Sequence, residues 1–314
     1  MIVVGGEALV DLIEDGDHRL RPVPGGGPFN TAIALGRLGV PVAFFGTLSS
    51  DGYGSLLGDL LADAGVDTSL VRRSHAPTPL AIVHRGNGSA TTYTFYLTDT
   101  SLTDLPQDAL PELPRAAIAL HVGTLGLAVD PPAGAFEALL VRESGFRAIV
   151  LDPNVRPSVF GDRDTYRERF ERLAGLATVV KLSDGDAAWI YPGLEPEAAM
   201  ERVLALGPQL VAVTLGPAGA IAATPDARAR VAAISVGVVD TVGAGDTFGA
   251  ALLAALVEQE ALQPDATLDD AVLERTLSFA ATAAAITCTR TGAVPPSRAE
   301  MDARLAPSLS ADVD

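Results

Sequence analysis

Short apolar runs alternate with helical segments along most of this chain, and this alternation restricts its fold more than any other feature. Apolar, β-branched runs predict strands at residues 2–4, 42–45, 117–121, 148–151, 179–182 and 210–214. Helical patterns occur between them, at residues 30–38, 54–64, 133–143 and 165–173. Strand–helix–strand units build a mainly parallel sheet that carries helices on its faces. We therefore expect an α/β fold.

Two segments, residues 9–23 and 80–100, do not follow this alternation. Each predicts two strands around a turn-like sequence, at residues 15–17 in the first and 86–88 in the second. Because a parallel sheet is not built from hairpins, we expect these strands to form a second, smaller layer that projects from the main domain as a lid. The alternative is a pair of edge hairpins without a moving part.

The last third of the chain predicts two alanine- and leucine-rich helices, at residues 246–262 and 271–287. A short polar tail follows from about residue 306, and we expect it to be frayed. The sequence shows no internal repeat and no low-complexity linker. We therefore predict a single domain over residues 1–314 that includes the lid.

The charge of the chain argues against several classes of partner. Its 314 residues include 22 basic and 39 acidic side chains, and the formal net charge of -17 repels nucleic acid and anionic membrane surfaces. Its apolar runs fall short of the roughly 20 residues that span a bilayer. Cys288 is the only cysteine, so an intrachain disulfide is impossible. We expect a soluble, cytoplasmic protein with no nucleic-acid or membrane partner.

Lys181 is the only lysine of the chain. A Walker A loop ends in Gly-Lys-Ser or Gly-Lys-Thr, so this chain contains none, and any Schiff-base chemistry would have to use Lys181. If the protein uses ATP, it must hold the phosphates in another way.

The strongest chemical signal is the segment DTVGAGDTF, residues 240–248, which runs directly into a helical pattern. Gly243, Ala244 and Gly245 leave the main chain open to a phosphate, and their N–H groups at a helix start favour an anion. Asp246 follows in the first turn, where a carboxylate can take the proton of an acceptor hydroxyl during phosphoryl transfer. Aspartate is also a common helix-start residue for structural reasons alone.

A second glycine cluster, GGGPFN at residues 25–30, precedes the helix predicted to begin at Asn30. It is not a dinucleotide fingerprint, because it follows a predicted hairpin and Asn30 stands where a third glycine is expected. Open main chain at Gly25 and Gly26, with the amide of Asn30, suits recognition of sugar hydroxyls. A turn with Asn30 as the helix cap is the structural alternative. Asp11 follows the first strand, where open α/β sheets bind ligands, and would accept hydrogen bonds from vicinal hydroxyls.

In their order and separation, these clusters resemble the ribokinase-like (PfkB) carbohydrate kinases. GGGPFNTAIALGRLG is similar to the amino-terminal signature of that family, and DTVGAGDTF is similar to its carboxyl-terminal signature. The likeness runs from GEALVD near the start of the chain to TRTGAVPPS near its end, and GEALVD, YTFY and DPNVR look most like bacterial fructokinases. The resemblance implies a three-layer α/β/α domain with a mainly parallel central sheet and a small β lid.

The resemblance also implies roles for individual residues. Asp246 matches the catalytic base, and the anion hole for the transferring phosphate matches Gly243, Ala244 and Gly245. Positions that match sugar contacts are Asp11, Gly25, Gly26, Asn30, Tyr96 and Arg156. Positions that match the nucleotide site are Lys181, Ser183, Thr214, Gly216, Gly219 and Gly245. For Arg156, a helix-start or surface role is the alternative to binding a sugar or a phosphate.

The implied cofactors are ATP and Mg2+, with K+ as a further monovalent ion. Family members often have Asn-x-x-Glu near the nucleotide phosphates, whereas this chain has SDGD at residues 183–186, so Asp186 would reach the metal through water. Main-chain carbonyls beside the anion hole would bind the monovalent cation, and the matching positions are Asp240, Val242, Thr287 and Gly292. Fructokinases commonly have arginine after the aromatic pair, and Leu97 stands there instead, which weakens the specific case for fructose.

The sequence therefore favours ATP-dependent phosphorylation of a sugar hydroxyl by a fructokinase-like enzyme. Alternatives within the family are a 2-keto-3-deoxygluconate kinase, a ribokinase or a nucleoside kinase, in which Tyr93, Phe95 and Tyr96 would stack on a base. A non-catalytic sugar or nucleotide sensor is the alternative of another class, and it would have no need of Asp246. Exposed edges of the lid strands offer a surface to a second copy, so we expect a homodimer through the lid.

Overall fold

The computed structural model describes residues 1–14, 19–84, 92–106, 110–263 and 266–306. The turns predicted at residues 15–17 and 86–88, and the polar tail after residue 306, lie outside these ranges. No helix within the described ranges is long and apolar enough to cross a membrane.

Within these ranges the chain forms fourteen strands and nine α-helices. The strands are β1 (Ile2–Gly5), β2 (Leu9–Glu14), β3 (Leu20–Gly25), β4 (Val42–Phe45), β5 (Thr47–Ser49), β6 (Arg72–Ser74), β7 (Leu80–His84), β8 (Thr92–Tyr96), β9 (Ala119–Gly123), β10 (Ala148–Asp152), β11 (Val179–Ser183), β12 (Leu210–Thr214), β13 (Ala220–Ala223) and β14 (Arg228–Val231). The α-helices are α1 (Gly27–Arg37), α2 (Gly52–Asp63), α3 (Pro132–Glu143), α4 (Arg163–Ala174), α5 (Asp184–Ile190), α6 (Pro196–Leu204), α7 (Ala244–Glu258), α8 (Asp270–Cys288) and α9 (Arg298–Leu305).

Eight strands form the central sheet, in the order β14-β13-β12-β11-β10-β9-β1-β4. The six strands from β12 to β4 pair in parallel, and β13 and β14 add an antiparallel edge. Parallel strands covered on both faces are continuous apolar runs, and β1, β4, β9 and β10 are buried along their whole length. The predicted α/β class is confirmed, and the strand predicted at residues 117–121 is displaced to 119–123.

Each face of the central sheet carries its own hydrophobic core. Successive side chains of a strand point to opposite faces, so Val4 packs with helices α1, α2, α7 and α8, whereas Val3 packs with helices α3 to α6. Phe29 of α1 and Leu252 of α7 are fully buried in the first core, and Phe136 of α3 is fully buried in the second. The result is the three-layer α/β/α domain that the sequence implied.

Strands β2, β3, β7 and β8 form a separate sheet, called here the small sheet, in the order β3-β2-β7-β8. The pairs β2–β3 and β7–β8 are antiparallel, and β2 and β7 join them in parallel. Burial alternates along β8, where Tyr93 and Phe95 are half-buried and Tyr96 is exposed. The small sheet therefore has an inner and an outer face. The second β layer is as predicted, and its movement as a lid stays a prediction.

Candidate active site

Two cavities meet at the beginning of α7. The first, of about 500 Å³, lies between the inner face of the small sheet and the first turns of α1 and α7. The second, of about 490 Å³, lies between α7, α8 and the loop after β12. Val238, Thr241 and Gly245 line both cavities. The two cavities therefore adjoin at the start of α7.

Asp246 lies in the first turn of α7 and lines the first cavity. Only 8% of its surface is exposed. Its Oδ2 accepts a hydrogen bond of 2.8 Å from Asn30 Nδ2, and its Oδ1 lies 3.4 Å from Asn154 Nδ2. Two amide groups thus orient the carboxylate, and its remaining lone pairs can accept the proton of a ligand hydroxyl.

The electrostatic surroundings of Asp246 favour a base. Burial raises the pKa of Asp246 above the ordinary value of 3.8. The hydrogen bond from Asn30 and the charges of Lys181 and Arg156 oppose this rise. Burial therefore makes the carboxylate a stronger base than a solvated aspartate, while the two cations favour its ionised form.

The start of α1 brings main chain close to Asp246. Helix α1 begins at Gly27, and Gly26 caps it with a φ of 111°, a conformation that favours glycine. A Cβ at Gly27 would lie 2.4 Å from Thr124 Oγ1 and 2.8 Å from Asn154 Nδ2. The absence of a side chain therefore lets α1 approach the site this closely.

Asn30 is not the helix cap that the sequence left open as an alternative. It lies one turn inside α1, and its main-chain N–H donates to Gly26 O at 2.9 Å. The helix begins three residues earlier than predicted, with Pro28 in its first turn. Residues of the first turn donate no main-chain hydrogen bond within the helix, so the missing N–H of proline costs nothing there. The Asn30 side chain lines the first cavity beside Asp246, and its predicted contact with a sugar stays a prediction.

Arg156 and Asp11 bring opposite charges to the first cavity. Arg156 Nη1 donates to the Asn154 main-chain oxygen at 3.0 Å and to its Oδ1 at 2.8 Å, and the guanidinium lies 5.7 Å from the centre of the Tyr93 ring. Burial raises the pKa of Asp11 to about 6, and the charge of Arg156 opposes the rise. Gly25 does not line the cavity, but a Cβ there would lie 2.4 Å from Asp11 Oδ2, so the glycine makes room for that carboxylate.

Glu7 is a cavity residue that the sequence analysis missed. It follows β1, is 2% exposed and lines the first cavity. Its Oε1 accepts a hydrogen bond of 3.2 Å from Gly27 N, and its Oε2 has no hydrogen-bond partner in the part of the chain that the structure describes. Burial raises the pKa of Glu7 from 4.5 to about 8. The sequence could have indicated Glu7 by its position just after the carboxyl end of a parallel strand, where open α/β sheets bind their ligands.

Tyr96 does not reach the first cavity, contrary to the prediction. It is 55% exposed on the outer face of the small sheet, whereas Tyr93 and Phe95 line the cavity. Side chains alternate along a strand, so a shift of one residue moves the predicted ring to the opposite face. Asn154 also lines this cavity and was not predicted as a site residue, although it is the middle residue of DPNVR, the segment that supplied Arg156.

The second cavity is lined mainly by small and apolar residues. Thr214, Gly216 and Gly219, which the sequence assigned to the nucleotide, line it together with Phe248 and Cys288. An apolar cavity of this size with few polar groups suits a planar nucleotide base.

Gly243, Ala244 and Gly245 lie where the two cavities join. Gly243 and Gly245 line the first cavity, and Ala244 and Gly245 line the second. Gly243 caps α7 with a φ of 74°, and a Cβ there would lie 2.4 Å from the Cβ of Ala293. The first N–H groups of a helix lack partners within it, and the helix dipole favours an anion there. This geometry suits a phosphoryl group placed between the cavities.

Lys181, Ser183 and Asp186, which the sequence assigned to the nucleotide and the metal, line neither cavity. The Lys181 side chain is 5% exposed, and its Nζ lies 3.0 Å from Asp152 Oδ2. Ser183 caps α5, because its Oγ accepts from Asp186 N at 3.0 Å and Asp186 Oδ2 accepts from Ser183 N at 2.7 Å. Asp186 Oδ1 accepts from Val155 N at 2.6 Å. Main-chain groups thus engage both oxygens of the carboxylate predicted for the metal.

The residues predicted for a monovalent cation lie in the loop before α7, near the end of α8 and in the loop after α8. Asp240 Oδ1 accepts from Val242 N at 3.2 Å, and Asp240 Oδ2 accepts from Gly292 N at 3.1 Å. Thr287, near the end of α8, is fully buried and donates to Thr247 Oγ1 at 3.1 Å. Asp240 therefore fixes the loop before α7 to the loop after α8. Among the described residues, no cluster of three or more His, Cys, Asp or Glu side chains forms a metal site.

Comparison with known proteins shows which family this chain resembles. The family model described as pfkB family carbohydrate kinase matches residues 1–300. A fructokinase of Rhizobium leguminosarum bv. trifolii is 40% identical over 260 residues, which cover 82% of this chain and 79% of that protein.

Solved structures of sugar and riboside kinases share the fold. A crystal structure of fructokinase from Vibrio cholerae O395, bound to fructose, ADP and a calcium ion, superposes with a TM-score of 0.83 at 28% identity and covers 96% of this chain and 97% of that one. Aminoimidazole riboside kinase from Salmonella enterica, in complex with aminoimidazole riboside and an ATP analog, gives a TM-score of 0.84 at 26% identity and covers 96% of this chain and 98% of that one.

Proposed function

Since this chain belongs to the pfkB family of carbohydrate kinases and is an ATP-dependent sugar kinase, we propose that the sugar it phosphorylates is fructose. The observation that carries the proposal is the place of Asp246, a buried carboxylate at the junction of a polar cavity and an apolar one. The polar cavity receives the sugar, and the apolar cavity receives the nucleotide. The relatives named fructokinase support the choice of fructose over other sugars.

Asp246 acts as the base in the proposed reaction. Its carboxylate accepts the proton of the acceptor hydroxyl while the hydroxyl oxygen attacks the γ-phosphorus of ATP. The bond between the γ-phosphorus and the bridging oxygen breaks, and ADP leaves with the electron pair. Asn30 and Asn154 hold the orientation of the carboxylate during this transfer. Asp246 then returns the proton to solvent when the product leaves.

Charged and aromatic groups hold the sugar in this proposal. Asp11 and Asn30 offer hydrogen-bond partners to the hydroxyls of the sugar. Arg156 carries the opposite charge to Asp11 and offers N–H donors to the sugar oxygens. Tyr93 and Phe95 stack on each other with ring centres 5.8 Å apart and give the cavity an apolar wall. An apolar wall suits the C–H face of a sugar ring.

The start of α7 holds the transferring phosphate in this proposal. The main-chain N–H groups of Gly243, Ala244 and Gly245 stabilise the charge that develops on the equatorial oxygens. The nucleotide base lies in the second cavity, near Thr214 and Gly216. Because Gly245 lines both cavities, the same turn of helix contacts donor and acceptor.

We propose that the small sheet covers the sugar as a lid. Asp11 of β2, Val83 of β7 and Tyr93 of β8 line the cavity from its inner face. Closure would exclude the water that otherwise hydrolyses ATP.

Mg2+ is the divalent cation proposed to enter with ATP. When bound, it neutralises phosphate charge, and it binds mainly phosphate oxygens and water. Asp186, predicted to reach the metal through water, lines neither cavity, and each of its oxygens accepts a hydrogen bond from a main-chain N–H group. Phosphorylation should stop in EDTA and return with excess Mg2+, and undiminished turnover in EDTA would contradict this part of the proposal.

A monovalent cation such as K+ is proposed beside the anion hole. Its ligands would be main-chain carbonyls in the loops that Asp240 joins to Gly292. Replacing K+ by tetramethylammonium, which is too large for such a site, should lower kcat. Equal rates in the two salts would contradict the site.

The test of the function is a panel of phosphate acceptors with ATP. Fructose, ribose, 2-keto-3-deoxygluconate and adenosine are supplied in turn, and the release of ADP is measured. We expect the highest kcat/KM with fructose. A higher value with another sugar would move the substrate assignment within the family, and no ADP release with any acceptor would favour a non-catalytic sensor.

A riboside is the second candidate for the acceptor. The structural match to aminoimidazole riboside kinase favours it, together with the stacked rings of Tyr93 and Phe95 at the first cavity. A riboside that competes with fructose and is turned over faster would establish this candidate.

We also propose a homodimer in the cytoplasm. The outer face of the small sheet exposes Tyr96 at 55% and Leu20 at 44%, and both lie on outer strands of that sheet. Light scattering at micromolar concentration should give twice the mass of the chain. A monomer mass would contradict the dimer.

A further inference from the structure

Asp152 and Lys181 lie beneath the start of α7. They stand near the carboxyl ends of the neighbouring strands β10 and β11. Val150 and Val179, two residues before each of them, belong to the core that packs against α7. Because side chains alternate along a strand, Asp152 and Lys181 point to that same face of the sheet.

Lys181 and Asp152 form a buried ion pair. Lys181 Nζ donates to Asp152 Oδ2 at 3.0 Å, and each side chain is 5% exposed. Asp152 Oδ1 has no hydrogen-bond partner among the residues that the structure describes. Removing two charges from water costs free energy that their attraction rarely repays, so stability alone does not account for this pair.

Lys181 reaches the main chain of the proposed anion hole. A Cβ built on Gly245 would lie 3.3 Å from Lys181 Nζ. The ammonium group therefore lies beside the main chain of Gly245, which lines both cavities. A side chain at that position would crowd the ammonium group.

The composition of the chain points in the same direction. Among its 22 basic residues Lys181 is the only lysine, so arginine provides every other cationic side chain of that count. An ammonium group is a compact point charge, whereas a guanidinium is planar and larger. The buried position beside Gly245 suits the compact charge.

We propose that Lys181, held in place by Asp152, is a positioning residue for phosphoryl transfer: its buried charge reinforces the positive end of α7 beneath Gly245 and keeps Asp246 ionised. The inference rests on the kinase reaction proposed above for this site. Lys181 touches neither substrate. It acts through the helix start and through the carboxylate of Asp246.

The charged groups that influence Asp246 come from several elements, and they are Lys181, Arg156, Glu7, Asp11 and Asp152. The two cations favour the ionised form of Asp246, and the carboxylates of Asp11 and Asp152 oppose it. Burial raises the pKa of Glu7 to about 8, so Glu7 adds little charge at neutral pH. Arg156 lies in the cavity, whereas Lys181 is buried and screened less by salt. His121 also lies near Lys181, and burial lowers the pKa of His121 to about 4, so at neutral pH it adds no charge.

The experiment compares wild type with Lys181→Met and with the double variant Lys181→Met/Asp152→Asn. Methionine keeps the length of the side chain without its charge, and asparagine avoids an unpaired buried carboxylate in case the single variant fails to fold. We expect kcat to fall about tenfold or more, because a charge beneath an anion hole is lost. The KM values for ATP and fructose should stay within about threefold of wild type.

The pH profile separates this role from a structural one. In Lys181→Met, loss of the charge should move the acid limb of kcat/KM to higher pH by about one unit, because Asp246 then binds its proton more readily. In the double variant the shift should be smaller, because the opposing charge of Asp152 is lost as well. Arg202→Met is the matched control, since it removes one positive charge from an exposed pair with Glu171. Its profile should match wild type.

Two results would overturn the inference. The first is a Lys181→Met protein whose kcat per folded molecule matches that of Arg202→Met and whose kcat/KM has the same acid limb in its pH profile. The second is a fall in activity that follows only the loss of folded protein, as measured by thermal unfolding. A wild-type enzyme without activity on any acceptor would instead refute the proposed function.

Discussion

A methyl group added at Gly27 tests how much the close approach of α1 contributes to catalysis. A Cβ there would lie 2.4 Å from Thr124 Oγ1, 2.8 Å from Asn154 Nδ2 and 3.4 Å from Asp246 Oδ1. Ordinary contacts of a Cβ begin near 3.4 Å, so Thr124 must retreat by about 1 Å and Asn154 by about 0.6 Å. Asn154 orients Asp246, so its retreat displaces the proposed base.

The size of the effect follows from that displacement. A misplacement of about 1 Å costs roughly 100-fold in rate, so the retreat of Asn154, passed on to Asp246, should cost about 10-fold, which corresponds to about 1.4 kcal/mol of activation free energy. We expect the kcat of Gly27→Ala to fall by about this factor. The fold should persist, because Gly27 has no positive φ and alanine favours a helix by up to about 1 kcal/mol over glycine.

Two further alanine substitutions in helices serve as controls, with ADP release and thermal unfolding measured for each. Gly52→Ala meets nothing within 4 Å, so it should leave kcat unchanged and should keep or slightly raise Tm, because alanine favours a helix over glycine. Gly36→Ala would place its Cβ 2.2 Å from Ala64 O, so it should lower Tm while kcat per folded molecule is kept. A kcat of Gly27→Ala near that of wild type, or a loss that only follows unfolding, would refute the steric reasoning.

Three other changes test separate parts of the site. Burial raises the pKa of Glu7 to about 8 in the folded protein, so its contribution to stability is lost as the pH rises from 4.5 to about 8. The free energy of unfolding of Glu7→Gln in urea, relative to that of wild type, should therefore rise by a few kcal/mol between pH 5 and pH 8. A difference that does not change with pH would contradict this. Tyr93→Leu should raise the KM for sugar severalfold whereas Tyr96→Leu should not, and equal effects would contradict the inner and outer faces of β8. Ala284→Phe, which fills the second cavity, should raise the KM for ATP about tenfold and leave the KM for sugar unchanged; equal rises would contradict the nucleotide assignment.

The central sheet could be predicted because its strands are buried on both faces. Such strands are continuous apolar runs, and residues 42–45 and 210–214 were located to the residue. Strands β13 and β14 were missed, since AIAA is equally compatible with a helix and RARV alternates charge at an edge. Helix α5 was missed because its capping sequence SDGD was interpreted as a metal site.

Side-chain direction limited what the sequence could predict about the site. The sequence predicted that Asp246 and the three small residues before it lie at a helix start, because main-chain N–H groups at the start of any helix point towards an anion in the same way. Tyr96 was chosen over Tyr93 because the sequence does not say which face of β8 points inward. Lys181 was assigned to the nucleotide, whereas the strand directs it beneath Gly245 into a pair with Asp152.

The central claim is that Asp246 takes the proton of the acceptor, and Asp246→Asn tests it most directly. The substitution keeps the shape of the side chain and its neighbours Asn30 and Asn154, and it removes the base. Turnover with fructose and ATP is measured together with the Kd values of both ligands. We predict a fall in kcat of about 1,000-fold with Kd values within about threefold of wild type. A kcat within tenfold of wild type would contradict the account.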